Sequence, residues 1–459
     1  MDAKRYGDFI KGKKVAVIGI GVSNMPLIRF LTERGAIVTA HDKKNFGDLG
    51  ESAQILEKLG VKLVLGESYL KGIPADTEII FKTPGLRADV PELAEAQNRG
   101  VLITSEMELF FELCPSKIIA VTGSDGKTTT TTLISEMLKK QGYNCYIGGN
   151  IGRPLIEDVE KMCADDIAVL ELSSFQLHTM RHSAEIAVVT NVTPNHLDWH
   201  KDFREYAESK KNIFCNQTPD GRVVLNYDNE ITREFADSAH NHIFFSRHSK
   251  LSEGICLENG KIIIKDHDGT ENVILDIADI RIPGMHNVEN YMAAIGAVYP
   301  LVSRESIEYV AKNFGGVPHR IEFVRELDGV KYYNDSIASS PARTTAGLLS
   351  FDEKVILIAG GYDKKIPFDD FGSTVNDRVK KLVLVGNTSE KIEKAVKNAK
   401  NYNNLPICRE DTFEDAVLRA RSIAAEGDIV ILSPACASFD LFKNFEERGN
   451  TFKKLVMSF

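Results

Sequence analysis

A glycine-rich stretch has the composition of a phosphate-binding loop. It reads KIIAVTGSDGKTTTTT and spans residues 117–132. Gly123 and Gly126 let backbone N–H groups approach a polyphosphate. Lys127 supplies a positive charge for the outer phosphates, and Thr128 offers a hydroxyl to Mg²⁺. A tight structural turn with an exposed lysine is the alternative, but the order of strand, glycine turn, GKT and helix favours binding of ATP or GTP.

Two further polar residues follow apolar, strand-like runs downstream of this loop. Glu171 ends the run DIAVLE, and His196 comes after IAVVTNVTPN. The carboxyl ends of parallel strands are where α/β proteins build sites, so both side chains are candidate ligands of a divalent ion. Magnesium prefers oxygen, so a histidine ligand indicates either two metals or a softer ion. A purely structural role for this histidine is the alternative.

A second glycine turn lies near the N-terminus, in the segment KKVAVIGIGVSN. Asp42 follows the next apolar stretch, at the position from which an acid would bind a ribose hydroxyl. Asn24 stands where the third glycine of a dinucleotide-binding fingerprint is expected, so the NAD pattern is incomplete. We expect another nucleotide here, with NAD or a structural turn as alternatives.

Both turns belong to a wider pattern of short apolar runs that end in glycine. The runs are VAVIG at 15–19, IIAVTG at 118–123, VILIAG at 355–360 and LVLVG at 382–386. Followed by helix-like segments, they predict buried parallel strands of an α/β fold. Between residues 201 and 278, turns interrupt stretches such as RVVLNYDN and GKIIIKDHDG, which predicts a small antiparallel flap.

The length of 459 residues corresponds to about three domains. Candidate linkers are PELAEAQNRGVLITSEMELF and NFGGVPHR, which place boundaries near residues 105 and 316. We therefore expect domains over 1–105, 106–316 and 317–459.

Composition narrows the classes of partner and compartment. The chain has 56 basic and 65 acidic residues, a net charge of -9, which argues against a nucleic-acid partner. Its seven cysteines are scattered singly, which predicts neither disulfides nor a zinc site and fits a reducing cytoplasm. The first residues lack the apolar core of a signal peptide, and no apolar stretch reaches about 18 residues. We expect a cytoplasmic protein without a membrane partner.

Motifs along the chain resemble the Mur ligase family, in the family's order from about residue 10 to the C-terminus. They are TGSDGKTTT, ELSSFQL, TNVTPNHLD, YAESKK, GMHNVENYMAA, GVPHRIE, NDSIASSPART, GGYDK and LSPACASFDLFKNFEERG. The last two point to the glutamate-adding members, and the DNPR signature of the diaminopimelate- or lysine-adding members is absent. The resemblance implies ATP-dependent joining of D-glutamate to UDP-N-acetylmuramoyl-L-alanine in peptidoglycan assembly.

The resemblance also implies an architecture and a route. A Rossmann-like N-terminal domain would hold the uridine diphosphate, a central P-loop ATPase-type domain would hold ATP, and a Rossmann-like C-terminal domain would bring the amino acid. A carboxylate is a poor electrophile, so transfer of the γ-phosphoryl group would make an acyl phosphate that the D-glutamate amine attacks. Catalysis of such a transfer is mainly positioning and cationic screening. We expect a monomer.

Family positions in this sequence give four sets of site residues. The ATP set is Gly123, Ser124, Asp125, Gly126, Lys127, Thr128, Thr129, Asn287, Asn290, Arg320 and Asp335. The metal set is Thr128 and Glu171 on one Mg²⁺, with His196 and Lys210 on a second. The UDP-substrate set is Ser23, Asp42, Thr83, Gly85, Asn150, Ser173 and Gln176. The D-glutamate set is Ser339, Lys364, Ser438 and Phe445.

Lys210 has two interpretations. From the residues alone it is a solvated charge beside Lys211. It matches the family's carbamylated lysine, whose carbamate, formed from CO₂, bridges towards the second metal. An unmodified cation there would repel the metal ions. The resemblance therefore implies that Lys127, His196 and Lys210 are the catalytic residues.

Three other functions remain as alternatives. A folylpolyglutamate synthetase or another Mur ligase would share the ATP site but differ in the first domain. An NAD(P)-dependent oxidoreductase would use the first glycine turn, and a nucleotide sensor would bind without turnover.

Overall fold

The computed structural model describes residues 2–459. The strands of its first sheet lie between residues 14 and 104. The strands are β1 (Lys14–Ile18), β2 (Ile37–Asp42), β3 (Lys62–Leu65), β4 (Ile79–Lys82) and β5 (Leu102–Thr104). The helices are α1 (Ala3–Ile10), α2 (Asn24–Glu33), α3 (Phe46–Leu49), α4 (Glu51–Lys58) and α5 (Pro91–Asn98). The order is β3-β2-β1-β4-β5, and all pairs are parallel. The carboxyl edge of this sheet therefore carries the turns after β1, β2 and β4.

The second sheet has nine strands and contains the phosphate loop. The strands are β6 (Lys117–Thr122), β7 (Cys145–Gly149), β8 (Ile167–Glu171), β9 (Ile186–Val189), β10 (Arg222–Asn226), β11 (His242–Ser246), β12 (Gly254–Glu258), β13 (Lys261–Lys265) and β14 (Glu271–Asp276). The helices are α6 (Glu106–Leu113), α7 (Lys127–Gln141), α8 (Ser174–Leu177), α9 (Phe203–Lys211), α10 (Glu230–Glu234), α11 (Met285–Val298) and α12 (Arg304–Asn313). The order β14-β13-β12-β11-β10-β9-β6-β8-β7 places β6 between β8 and β9.

The expected antiparallel flap is smaller than its sequence pattern indicated. GKIIIKDHDG forms β13, which pairs antiparallel with β12 and β14 at one edge of the large sheet. RVVLNYDN forms β10, which pairs parallel with β9 and β11, so its assignment to the flap was wrong. The apolar residues of β10 are buried in succession, as is usual for a parallel strand covered on both faces. The turn residues after β10 end this strand, but the next strand, β11, runs in the same direction and not back along it.

The third sheet occupies the C-terminal part of the chain. The strands are β15 (Glu322–Leu327), β16 (Val330–Asn334), β17 (Val355–Ala359), β18 (Val379–Val385), β19 (Ile407–Glu410) and β20 (Ile429–Leu432). The helices are α13 (Pro341–Leu348), α14 (Asp369–Arg378), α15 (Ser389–Asn398), α16 (Phe413–Ile423) and α17 (Phe445–Met457). The order is β15-β16-β20-β17-β18-β19, and only the β15–β16 pair is antiparallel.

The predicted α/β class is confirmed. The four glycine-ended runs form the parallel strands β1, β6, β17 and β18, as expected. The chain divides into two compact units. One runs up to Ile277 and includes Glu289–Val310, and the other comprises Ala278–Val288 and Ala311–Phe459. Within residues 2–459, every helix is too short or too polar to cross a membrane.

Candidate active site

The phosphate loop joins β6 to α7 and contains two glycines at positions where a larger residue would be strained. Gly123 has φ 150° and Gly126 has φ 80°, both in the range that favours glycine. A Cβ on Gly123 would lie 1.9 Å from Thr190 Oγ1, and one on Gly126 would lie 2.3 Å from Asn290 Oδ1. The loop leads directly into the first turn of α7, whose N–H groups lack helical acceptors. Such a terminus is suited to bind phosphate.

Polar contacts inside the protein hold this loop in place. The hydroxyl of Ser124 accepts a hydrogen bond from Thr193 N at 2.9 Å and lies 2.8 Å from the Tyr206 hydroxyl. Asp125 N donates to Asn191 Oδ1 at 2.9 Å. The side chain of Ser124 is therefore used to fix the loop against the segment after β9 and against α9.

Asn290 lies against the same loop. Its Oδ1 accepts a hydrogen bond from Thr130 Oγ1 at 3.3 Å. Thr129, in the first turn of α7, is buried. Asn287, one turn earlier on α11, donates from Nδ2 to Pro283 O at 2.6 Å. The structure thus brings Asn290 to the phosphate loop, while Asn287 contacts the backbone that precedes its own helix.

Two lysines share one carbonyl of the phosphate loop. Lys127 Nζ donates to Gly123 O at 2.9 Å and to Ser124 O at 2.8 Å. Lys210 Nζ donates to Gly123 O at 2.8 Å, and the residue is 1% exposed. Burial, and secondly the Lys127 ammonium, hold the pKa of Lys210 well below its usual range. The expectation of a solvated charge is therefore wrong, because this amine is enclosed and makes no ion pair with any carboxylate among residues 2–459.

Glu171 presents an unsatisfied carboxylate oxygen. It ends β8 and is buried, and its Oε1 accepts a hydrogen bond from Asn150 Nδ2 at 2.7 Å. Its Oε2 is buried without any hydrogen-bond partner in the part of the chain that the structure describes. A buried anionic oxygen is costly unless a donor or cation compensates it, so Glu171 fits a hard divalent ion.

His196 lies in the loop after β9, with a left-handed φ of 55°. Its ring packs edge-on against Phe175, with 4.9 Å between ring centroids. Partial desolvation lowers the pKa of His196, as do the charges of Lys127 and Lys210, against an opposing effect of Asp198. The neutral imidazole is the form that binds metals. Within residues 2–459, no three His, Cys, Asp or Glu side chains cluster as a metal site, but Mg²⁺ usually needs only one or two carboxylates beside phosphates and waters.

The first glycine turn is stabilised by Asn24 and Asp42. Asn24 Nδ2 donates to Ile18 O at 3.0 Å and to Gly19 O at 2.9 Å. Asp42 Oδ2 accepts from Ile20 N at 2.7 Å. Asn24, the first residue of α2, therefore ties the start of that helix to the end of β1 and has a structural role in the turn.

The other predicted UDP-substrate residues of the first sheet lie at the same carboxyl edge. Ser23 directly precedes α2, and its side chain makes no capping hydrogen bond to that helix. Thr83 follows β4 and donates its N–H to Ile18 O at 2.9 Å. Gly85 O accepts from Trp199 Nε1 at 2.9 Å, which connects this edge to the loop of His196.

Ser173 and Gln176 are already bonded to each other. They form a capping box at the start of α8: Ser173 Oγ accepts from Gln176 N at 3.3 Å, and Gln176 Oε1 accepts from Ser173 N at 3.0 Å. These contacts give both side chains a structural role in the helix start.

In the second unit, Asp335 and Arg320 lie close together. Asp335 is buried after β16, and it accepts hydrogen bonds from Ile321 N at 3.3 Å and from Ser433 Oγ at 2.6 Å. Burial raises the pKa of Asp335 to about 7, although the charge of Arg320 acts in the opposite direction. The backbone around Arg320 is constrained, since His319 and Ile321 have φ of 65° and 44°.

The four predicted D-glutamate residues lie in the same unit, and two of them are in contact. Lys364 Nζ donates to Ser339 Oγ at 3.4 Å. Ser438 is buried at the start of a turn whose end is Phe442, and Phe445 begins α17. The ring of Phe445 packs edge-on against His319, with centroids 5.9 Å apart.

Sequence reasoning missed the buried Arg448. Its guanidinium donates to Ser336 Oγ at 3.0 Å and Ser336 O at 2.8 Å, and to Ala437 O and Cys436 O at 3.1 Å. Burial lowers the pKa of Arg448 to about 10. Arg448 therefore joins the segments that carry Ser339 and Ser438. Its position within the motif LSPACASFDLFKNFEERG is the signal by which the sequence could have indicated it.

Three family models match the chain in succession. The Mur ligase MurD-like N-terminal domain matches residues 13–105, the Mur ligase middle domain 121–298, and the Mur ligase glutamate ligase domain 319–436. A protein of Acetivibrio thermocellus named UDP-N-acetylmuramoylalanine–D-glutamate ligase is 54% identical over 98% of this chain and 97% of its own length. A protein of the same name from Ruminiclostridium cellulolyticum is 50% identical over 97% of each chain.

Solved structures share the fold at low sequence identity. A UDP-N-acetylmuramoyl-L-alanyl-D-glutamate–2,6-diaminopimelate ligase superposes with a TM-score of 0.58 at 17% identity, covering 100% of this chain and 94% of its own. The UDP-N-acetylmuramate-alanine ligase of Thermotoga maritima gives 0.56 at 18% identity, covering 97% and 99%. The MurF ligase of Thermotoga maritima, in complex with ADP, gives 0.55 at 18% identity, covering 98% and 97%. These likenesses concern the fold alone.

Proposed function

The chain belongs to the Mur ligase family, and we propose that it joins D-glutamate to UDP-N-acetylmuramoyl-L-alanine with ATP. The observation that carries this assignment is the 50–54% identity, over nearly the whole chain, to relatives that share this one name. The expected family, fold and activity are confirmed by these relatives. The oxidoreductase and the folate synthetase are accordingly set aside.

The phosphate loop would position ATP for the phosphoryl transfer and supply a positive charge beside it. Gly123 to Thr128 would enclose the phosphates of ATP, with the Lys127 ammonium beside the γ-phosphoryl group. The carboxylate of the muramoyl-alanine attacks that group, and ADP leaves. The amine of D-glutamate then attacks the acyl phosphate, a C–N bond forms, and inorganic phosphate leaves with the loss of a proton from nitrogen. Asn287 and Asn290 are proposed to contact the adenine of ATP, Asp335 its ribose, and Arg320 another part of the nucleotide.

The residues present fit Mg²⁺. The orphaned Oε2 of Glu171 and the hydroxyl of Thr128 are proposed to hold one ion, with His196 and Lys210 at a second. Bound there, Mg²⁺ would screen the charge that develops on the phosphate oxygens. The protein contributes the fixed carboxylate, which Asn150 orients through its 2.7 Å hydrogen bond.

We propose that Lys210 carries a carbamate. Its ammonium form first loses one proton; the neutral amine then attacks CO₂, an N–C bond forms, and a second proton is released to solvent. The modification is supported by the enclosed amine, which lies within 2.8 Å of the carbonyl that Lys127 also contacts. Replacing a cation with an anion removes the repulsion between the two lysines and provides an oxygen ligand for a metal.

The remaining assignments follow the same family positions. Ser23, Asp42, Thr83, Gly85, Asn150, Ser173 and Gln176 are proposed to bind the UDP-linked substrate. Ser339, Lys364, Ser438 and Phe445 are proposed to bind D-glutamate. We also propose three domains with boundaries near residues 105 and 316, a monomeric state and a cytoplasmic location.

Phosphate release, measured together with amide product by mass spectrometry, tests the proposed function. UDP-N-acetylmuramoyl-L-alanine and ATP are held constant while D-glutamate, L-glutamate, L-lysine and meso-diaminopimelate are compared. We expect turnover with D-glutamate and at most about 1% of that rate with the others, since each misplaces a carboxylate or carries an additional amine. Equal turnover with another amino acid, or phosphate release without amide, would contradict the assignment.

A further inference from the structure

Arg87 connects the segment around Thr83 and Gly85, the proposed substrate loop, to α9, the helix that carries Lys210. It lies two residues after Gly85, and its guanidinium donates to both oxygens of Glu205, at 2.9 and 2.8 Å. The same guanidinium donates to both oxygens of Asp89, each at 2.9 Å. The Arg87 and Glu205 side chains are only 18% and 20% exposed. A paired, partly enclosed fork of this kind fixes direction as well as distance.

Glu205 lies in the first turn of α9, five residues before Lys210. Its carboxylate also accepts a hydrogen bond from Lys201 N at 2.8 Å. Two histidines lie near it, with His178 Nε2 at 3.3 Å and His200 Nδ1 at 3.5 Å. Glu205 therefore holds the start of α9 and the end of the His196 loop at one point.

Trp199 makes a second connection between the same segments. Its Nε1 donates to Gly85 O at 2.9 Å, and its carbonyl accepts from Arg87 at 3.0 Å. It is the only tryptophan in the chain and lies three residues after His196. The substrate loop and the His196 loop are thus tied in both directions, by a donor and an acceptor on each.

We propose that Arg87 and Glu205 are a positioning pair for the ligation, resting on the proposed function. The pair fixes the position of the substrate loop, with Thr83 and Gly85, relative to His196 and Lys210. Neither residue needs to touch the reacting atoms, because their effect passes through the loops that they join. A displacement of about 1 Å between acceptor and phosphoryl group lowers the rate by about 100-fold.

A second ion pair gives a matched control. Arg29 on α2 donates to Glu157 at 2.8 Å, and it too joins the N-terminal hundred residues to the segment around the second sheet. The hydrogen bond between Arg29 and Glu157 involves neither the substrate loop nor the His196 loop. Loss of this pair tests what an ordinary inter-segment ion pair contributes.

The test compares Arg87→Met, Glu205→Gln, their double variant and Arg29→Met in the full-length protein with Mg²⁺ and all three substrates. For Arg87→Met we expect kcat to fall about 30- to 100-fold. KM for ATP and for D-glutamate should change by less than about threefold. The double variant should match the slower single variant within about threefold, because both substitutions remove one connection. Arg29→Met should retain wild-type kcat.

Trp199 fluorescence supplies a readout that a stability effect would not move. Addition of UDP-N-acetylmuramoyl-L-alanine should change the wild-type emission, and Arg87→Met should reduce that change while its Tm stays near that of Arg29→Met. Arg87→Lys keeps the charge but not the fork, so it serves if Arg87→Met fails to fold. We expect its kcat to lie at least about 10-fold below wild type.

Three results separate the outcomes. Wild-type kcat in Arg87→Met and Arg87→Lys would overturn the positioning role and leave the proposed function intact. Equal losses of kcat in Arg87→Met and Arg29→Met would also overturn it. Absence of amide product from the wild-type protein would instead overturn the proposed function.

Discussion

Substitution of Asp335 by asparagine is expected to stabilise the C-terminal unit at alkaline pH. The carboxylate is buried just beyond the ends of β16 and β20, where one oxygen accepts from Ile321 N and the other from Ser433 Oγ. Asparagine is nearly isosteric and keeps both contacts: its Oδ1 accepts from Ile321 N, and its Nδ2 donates to Ser433 Oγ. The substitution therefore removes a buried ionisable group while leaving the hydrogen-bond geometry in place.

The size and sign of the effect follow from proton binding. Burial raises the pKa of Asp335 from its ordinary 3.8 to about 7. Between these pH values the folded state binds more protons than the unfolded state, so stability falls as pH rises. Above pH 7 the loss in free energy of unfolding caused by the shifted pKa is complete and amounts to about 4 kcal/mol as an upper bound. We expect the advantage of Asp335→Asn over wild type to be about 2 kcal/mol larger at pH 8.5 than at pH 5.

Urea unfolding followed by circular dichroism at pH 5 and 8.5 measures this difference, and amide hydrogen exchange in β16 and β20 localises it. Asp428→Asn is a control of opposite sign in the same sheet. Although burial of Asp428 acts to raise its pKa, the Lys380 ammonium at 2.7 Å and the Ala425 N–H lower it overall. That variant should lose stability at pH 8.5. An advantage of Asp335→Asn that stays constant or shrinks with rising pH would refute the reasoning.

Three further predictions concern glycine geometry, the buried amine and the buried guanidinium. Gly126→Ala should raise KM for ATP about 10-fold, because a left-handed alanine adds about 1–2 kcal/mol of strain to the phosphate loop. Gly142→Ala is the control: Gly142 lies at the other end of α7 with φ 107° and no atom within 4 Å of an added Cβ, so KM for ATP should stay unchanged. Lys210→Ala should lower kcat at least about 100-fold with an unchanged circular dichroism spectrum, while Lys211→Ala on the same helix should keep the wild-type kcat. ¹³C NMR with labelled bicarbonate should show a carbamate signal that is lost in Lys210→Ala and kept in Lys211→Ala. Arg448→Lys should lower the free energy of unfolding by about 3 kcal/mol and raise KM for D-glutamate, because one ammonium cannot satisfy the carbonyls that the fork binds.

The parallel strands and the strand-end positions of the site residues were accessible from the sequence. Glu171 was identified because an apolar run that is buried on both faces must end at the sheet edge where polar residues gather. RVVLNYDN was misassigned because the Asn and Asp residues after the strand resemble those of a hairpin. Direction within a sheet depends on where the next strand is added, and the local pattern does not contain that information.

Long-range polar contacts were not accessible. Arg87 and Glu205 are 118 residues apart, and Arg448 and Ser336 are 112 apart. Nothing in the sequence spacing distinguishes Arg87, Glu205 or Arg448 from charged residues on the surface. Only the fold brings them together, and only their burial indicates that they are more than solvated charges. Asn24 is a local case, since it bonds to the carbonyls of Ile18 and Gly19 within the same turn and so has a structural role there.

The phosphate loop as it stands favours anions more than metal ions. The Nζ atoms of two lysines meet at Gly123 O, whereas Glu171 supplies a single buried carboxylate with one oxygen unsatisfied. A polyphosphate would satisfy the lysines, but a second divalent ion would face a net positive surrounding. Conversion of the Lys210 amine to a carbamate changes the local charge from positive to negative at an atom that the fold has already enclosed. Carbamate formation and occupancy of the second metal position are therefore expected to be coupled, so that the carbamate signal grows when Mg²⁺ and ATP are both added.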